Sequence, residues 1–124
     1  MKTPLYSITL LFLLTCNVMA KRTAPVEVPP ITTEKAIFSV PHFPKGERTQ
    51  NGGVVEARHP ETNKLLWRIQ IYKAEYDPAL EKDVQDVFIK SLTLEKSHKL
   101  LIMSDENSRI FVLNLATKKV TKIA

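Results

Sequence analysis

Residues 54–72 read VVEARHPETNKLLWRIQIY, two alternating runs separated by the polar break Pro60-Glu61-Thr62-Asn63-Lys64. In the second run Leu65, Trp67, Ile69 and Ile71 share one face, with Arg68 and Gln70 opposite. In the first run Val55, Ala57 and His59 share a face, with Glu56 and Arg58 opposite. A period of two suits a half-buried strand and not a helix. The stretch therefore predicts a β-hairpin, and that hairpin holds the only tryptophan of the chain, Trp67.

The same pattern recurs towards the C-terminus. Strands are predicted at 89–94, 99–104, 109–115 and 119–123, joined by the polar turns around Asp105-Glu106-Asn107-Ser108 and Ala116-Thr117-Lys118-Lys119. Val87 and Ile89 alternate in one phase, and Leu92 and Leu94 in the other. That slip predicts a bulge, or a strand starting after Ile89. The 109–115 strand is apolar on both faces and belongs in the interior of its sheet. Short turns between successive strands make an antiparallel meander.

Earlier in the chain, residues 36–40 predict one short strand, held to a sheet edge by Pro41 and Pro44. Asn51-Gly52-Gly53 is a turn signal. Asp77-Pro78, followed by Leu80, Val84 and Val87, predicts a short helix near 78–86 with Asp77 as its N-cap. The fold class expected is mainly β, in antiparallel meander sheets of propeller-blade type, with that single helix.

The first 20 residues have the form of an export signal. Lys2 gives a positive start, residues 5–14 an apolar stretch, and Val18-Met19-Ala20 a small-residue cleavage site. No other stretch approaches the roughly 20 apolar residues of a spanning helix. Cys16, the only cysteine, lies inside this signal. It is either an apolar filler removed with the signal or, within Leu13-Leu14-Thr15-Cys16, the lipidated cysteine of a bacterial lipoprotein. A secreted domain without disulfides fits a bacterial periplasm or cell surface. Residues 21–35, with Pro25, Pro29 and Pro30, read as an extended linker. Residues 36–124 are then one small β domain.

Without Lys2 the chain keeps 17 basic and 13 acidic residues, a net charge of +4. The basic clusters are terminal: Lys21-Arg22, and Lys118-Lys119 with Lys122. Such a balance favours a protein partner or an anionic envelope component. Export argues against nucleic acid, and the aromatic residues alternate with apolar ones as core residues do. Phosphate-loop, Gly-x-Ser-x-Gly and His-Glu-x-x-His patterns are absent from the sequence. His42, His59 and His98 have no chelating spacing and read as surface or turn residues. No cofactor is expected, nor enzymatic activity. The leading expectation is an exported, non-enzymatic binding domain. The alternative is a small envelope enzyme or a calcium-dependent binder using the acidic stretch 75–86. Its candidate binding residues are Glu75, Asp77, Asp83 and Asp86, with Glu81 alongside. That stretch has no glycine for a calcium loop.

The central and last hairpins superpose at an offset of 55 residues, which equates Val55 with Ile110, Ala57 with Val112, His59 with Asn114, Thr62 with Thr117 and Lys64 with Lys119. The spacing of Ala57, Thr62 and Trp67, with Asn63 after the threonine, resembles the Ala-x-Asp-x-x-Thr-Gly-x-x-x-Trp motif of quinoprotein-type β-propeller blades. Two positions depart: His59 stands where the family has Asp, which ties down the turn, and Asn63 where it has Gly. Asparagine is the next residue after glycine in tolerating a positive φ. The resemblance implies that Trp67 docks on a neighbouring blade, with Ala57 and Thr62 as spacing and turn partners. The second unit keeps Thr117 but has Lys122 in place of the tryptophan. The chain also resembles small exported bacterial proteins of unassigned function, through Tyr76-Asp77-Pro78 and the stretch 83–88.

Two blade-like units cannot close a propeller, which needs roughly four or more. The expectation is therefore two small sheets packed face to face, or part of an assembly, with self-association left open. Trp67 is expected to be largely buried between the sheets.

Overall fold

The computed structural model describes residues 22–46 and 50–124. The export signal, its cleavage site and Cys16 lie outside the described residues. Among the described residues eight strands form two four-stranded antiparallel sheets, each in plain sequential order. The first sheet contains β1 (Ile31–Thr32), β2 (Ile37–Ser39), β3 (Val54–Arg58) and β4 (Leu65–Gln70). The second contains β5 (Ile89–Leu94), β6 (Leu100–Asp105), β7 (Ile110–Asn114) and β8 (Val120–Lys122). One helical turn, α1 (Lys82–Gln85), sits in the crossover between the sheets. The mainly β meander architecture is thus the one the alternating pattern predicts. The bulge is also where the phase slip puts it, with a register shift between Ile89 and Ser91.

The two sheets share one core. The first contributes Phe38, Val55 and Ala57, and the second Leu101, Met103, Phe111 and Leu113. Within the first sheet Phe38, Ala57 and Trp67 are direct neighbours across β2, β3 and β4. Their side chains therefore share one face. Ala57 is 0% exposed, and the rings of Phe38 and Trp67 meet above it, 6.0 Å between centroids. Only a small residue leaves room for two large rings from the flanking strands. That is a physical reason for alanine at this place.

The offset of 55 residues reveals how the sheets stack. Val55 and Ala57 look into the core, whereas their equivalents Ile110 and Val112 look away from it. In the second sheet the core side is taken by Phe111 and Leu113, equivalent to Glu56 and Arg58, which lie on the outer side of the first. The front of the first sheet therefore packs on the back of the second. The strand orders run the same way: β1 contacts β5, and the turn after β7 reaches β4, where Lys118 Nζ stands 5.2 Å over the Trp67 ring.

Three expectations need correction. The linker does not extend to residue 35, because β1 pairs with β2 and Val28 is buried in the core. Thr33 closes that hairpin: its hydroxyl donates to the Ala36 carbonyl and accepts from the Ala36 amide. The helix covers only Lys82–Gln85, and its N-cap is Glu81, with no side-chain cap. Leu80 and Val84, the expected buried stripe, are 59% and 40% exposed. Trp67 faces the core, but from an edge strand, and is half-buried rather than enclosed.

Candidate functional site

The blade-like residues build a turn before they build a site. Asn63 has φ 60° and closes the β3–β4 hairpin, its amide donating to the His59 carbonyl. The His59 Nδ1 accepts from the amides of Glu61 (3.2 Å) and Thr62 (3.3 Å). The Thr62 hydroxyl accepts from the Lys64 amide. A short acceptor two and three residues ahead of free amides is what an aspartate gives such a turn. His59 fills that role with a ring nitrogen.

The last hairpin repeats this bond for bond. Asn114 Oδ1 accepts from Ala116 and Thr117, Thr117 Oγ1 from Lys119, and Lys118 has φ 62°. The Asn114 bonds are shorter, 2.9 and 3.0 Å. His98 and Ser108 hold the positive-φ position of the other two turns of the second sheet.

These two turns bring an apolar and basic surface together at the β4–β8 end of the molecule. Leu65 and Leu66 are 40% and 49% exposed on either side of β4, next to half-buried Trp67. Lys64, Lys118, Lys119 and Lys122 are exposed, and Lys118 is the one that stands over the Trp67 ring. Leu115–Ile123 contains no acidic residue, and the β3–β4 turn carries one, the exposed Glu61. Arg68 is partly neutralised, because it and Arg58 both pair with Glu56, at 2.5 and 3.1 Å. Among the described residues β4 pairs only with β3, so its other edge is open.

The acidic stretch does not converge. Glu75, Asp77, Glu81 and Asp83 are exposed, and Asp86 alone is buried. Asp77 caps a turn rather than the helix, its Oδ1 accepting from the Ala79 amide at 2.9 Å. Gln85 holds that turn closed, accepting from the Asp77 amide and donating to the Asp77 carbonyl. Asp86 points inward, accepting from the Tyr76 hydroxyl (2.6 Å) and the Asn51 amide nitrogen (3.0 Å). Burial, with the bond to Asp86 added, pushes the Tyr76 phenol up to about 12. Among the described residues no three His, Cys, Asp or Glu side chains are arranged to hold a metal ion.

Around Asp86 lies a network that sequence reasoning missed, because its members are far apart in the chain. Arg22 lies over the Phe88 ring, 4.5 Å away, and donates to the Asp86 carbonyl and to Glu106. Gln50 ties the crossover down, donating to the carbonyls of Gly52 and Tyr72 and accepting from Ala74. Gly52 has φ 71°, and a Cβ there would stand 2.7 Å from the Phe88 ring. His42 is not a surface residue. It is 5% exposed, its Nε2 bonded to the Val26 carbonyl at 2.7 Å and its ring edge-on to Phe88. Its Nδ1 is buried and has no hydrogen-bond partner among the described residues. Phe43, expected in the core, is 57% exposed. This network fastens the N-terminal segment and the crossover to the end of the second sheet. Its polar groups mostly satisfy one another.

No protein-family model and no curated protein matches the chain. Among the described residues no helix is long and apolar enough to cross a membrane.

Proposed function

We propose that this chain is an exported, non-enzymatic β domain that binds an anionic component of the bacterial cell envelope, a protein segment or a charged polymer. The observation that carries the reading is the β4–β8 end, where exposed Leu65 and Leu66 follow Lys64, the Lys118 side chain reaches the Trp67 ring, and Lys119 and Lys122 are exposed beyond it, against one acidic residue in the two turns, Glu61. A predominance of one sign raises the local concentration of an oppositely charged partner, and the leucines add apolar contact once it has docked. The export half rests on the charge and apolar pattern of residues 1–20. The blade resemblance adds a scaffold role, with Ala57, Thr62, Asn63 and Trp67 building the turn and ring packing that present this end. Intact-mass spectrometry separates the two forms of export. A chain starting at Lys21 is free in the periplasm, whereas a diacylglyceryl group on Cys16 marks a lipoprotein.

The binding half is tested by co-sedimentation with isolated envelope as salt rises. Exposed charges lose most of their reach beyond about 8 Å at physiological ionic strength, so retention should fall steeply with salt. The double substitution Lys118→Glu with Lys119→Glu should abolish retention without altering the fold, since both side chains are exposed. Retention indifferent to salt and to charge reversal would remove this end from consideration.

A further inference from the structure

β4 is one edge of the first sheet, and its free side carries backbone groups that no strand takes up among the described residues. The register shows which groups these are. The Ile71 amide donates to the carbonyl of Gly53, the residue opposite it when the β3–β4 register is continued. Opposite residues in an antiparallel pair alternate between bonded and non-bonded. Ile69 and Trp67, opposite Val55 and Ala57, therefore bond to β3. Gln70 and Arg68, opposite Val54 and Glu56, point their N–H and C=O groups away from it. Those groups recur at every second residue, about 6.8 Å along the strand, which is the spacing another peptide strand presents.

We infer that an acidic peptide segment in extended conformation adds to β4 as a fifth strand. This rests on the reading of the β4–β8 end as an anion-binding surface and names the partner it takes. In such an addition the main-chain bonds give affinity and alternate side chains give selectivity. Positive charge flanks both faces of the edge. On the core side Lys118 Nζ stands over the Trp67 ring. On the outer side Arg58 and Arg68 share the single carboxylate of Glu56, which leaves one positive charge over. Lys64 precedes the strand, and residues 64–70 contain no acidic residue. A second copy is the poorer occupant, because β4 against β4 brings the same cations together, and like charges across a strand pair destabilise it. A charged polymer without peptide groups leaves the outward groups of Arg68 and Gln70 without a strand partner. The other edges suit this partner less. β1 and β8 have two and three residues, and β5 carries one cation, Lys90, and runs into Glu95.

Amide exchange, read residue by residue by NMR on the chain starting at Lys21, tests the addition. The probe is a short synthetic peptide alternating glutamate with valine. At about ten times its dissociation constant, exchange at Arg68 and Gln70 should slow about tenfold. Exchange at Trp67 and Ile69, already bonded to β3, should change little. Dextran sulfate, which has charge but no peptide groups, should leave the Arg68 and Gln70 amides unprotected. Gln70→Pro removes an outward amide where an edge strand tolerates proline. It should weaken peptide binding about tenfold, the equivalent of one hydrogen bond of about 1.4 kcal/mol. If Gln70→Pro fails to fold, the same peptide N-methylated at alternate residues takes its place and should bind the unaltered chain more weakly by the same factor. Peptide binding without protection of Arg68 and Gln70, or binding of dextran sulfate alone, would overturn the strand addition and leave the anion-binding reading standing. Protection that rises with the concentration of the chain by itself would overturn it by assigning the edge to a second copy. Binding of neither probe, with no retention on envelope, would overturn both.

Discussion

The two sheets have the same strand order and nearly the same turns, yet they treat their outer faces in opposite ways. The first places Glu56, Arg58 and Arg68 outward and brings the Lys45 carbonyl against Arg68. The second places Ile102, Ile110 and Val112 outward and covers them with no described segment. One meander repeated twice has therefore been given one closed end and one open end. Topology alone does not finish a small β domain. Its outward residues decide whether it is complete or waits for a neighbour.

Each sheet also holds one buried carboxylate, and the two are worth different amounts. Asp105, 0% exposed at the end of β6, accepts from the amides of Asn107 and Arg109, both 2.9 Å, and from Arg109 Nε at 2.6 Å. Arg109 in turn lies over the rings of Tyr72 and Phe111, 4.8 and 5.5 Å away. Those rings stack on one another between the sheets. Asp105→Ala leaves two amides and a guanidinium without their acceptor, and should cost about 3 kcal/mol by urea unfolding. Asp105→Asn keeps an acceptor for the amides and should recover part of the loss. Glu56 meets arginines that are about a third exposed, so water screens much of its effect. If Asp105→Ala proved milder than Glu56→Ala, the stability of the pair would lie in the closed face instead of the second sheet.

Trp67 is the joint between the sheets and gives the next effect. A fully buried tryptophan truncated to alanine costs roughly 3–5 kcal/mol, and a half-buried one on an edge strand should cost about 2. Its emission should shift to the red with Lys118→Glu, because Lys118 Nζ stands over its ring. It should not shift with Val112→Lys, on the opposite side of the second sheet. Emission that follows Val112→Lys or dilution instead would place Trp67 outside the core that the two sheets share.

Most of the strands, the faces they present and the bulge were legible because period-two alternation is a local signal that both faces of a sheet must obey. β7 illustrates this, with Phe111 and Leu113 buried and Ile110 and Val112 turned outward. β1 was not legible, because two residues beyond Pro29-Pro30 carry no period and pair only through the Thr33 turn. The helix was over-read: Leu80 and Val84 recur at helical spacing but have nothing to pack against. The site was less legible than the fold. Asp86 reads in the sequence as one of four candidate binding acids, yet it is buried and bonded to Tyr76 and Asn51, 10 and 35 residues away. The turn chemistry stood between these cases. Asn63 signalled its positive φ, whereas His59 read as a departure from aspartate until its Nδ1 was seen to accept the same amides.

That last equivalence can be measured, and it carries the smallest effect. His59 and Asn114 occupy matching positions in matching turns, but the His59 bonds are 3.2 and 3.3 Å against 2.9 and 3.0 Å. Longer bonds to a ring nitrogen should contribute less. Asn114→Ala should lower stability by about 1 kcal/mol and His59→Ala by about 0.5, within the usual range for a net hydrogen bond. His59→Asp should then be neutral or stabilising, because a carboxylate reaches the amides of Glu61 and Thr62 more closely. The comparison is read from urea midpoints at unchanged slope, so that a shift reports the native turn and not the unfolded chain. A loss on His59→Asp would mean that the histidine ring is held for a reason outside the turn. The open end of the first hairpin, where the exposed leucines and lysines gather, would be the place to look for it.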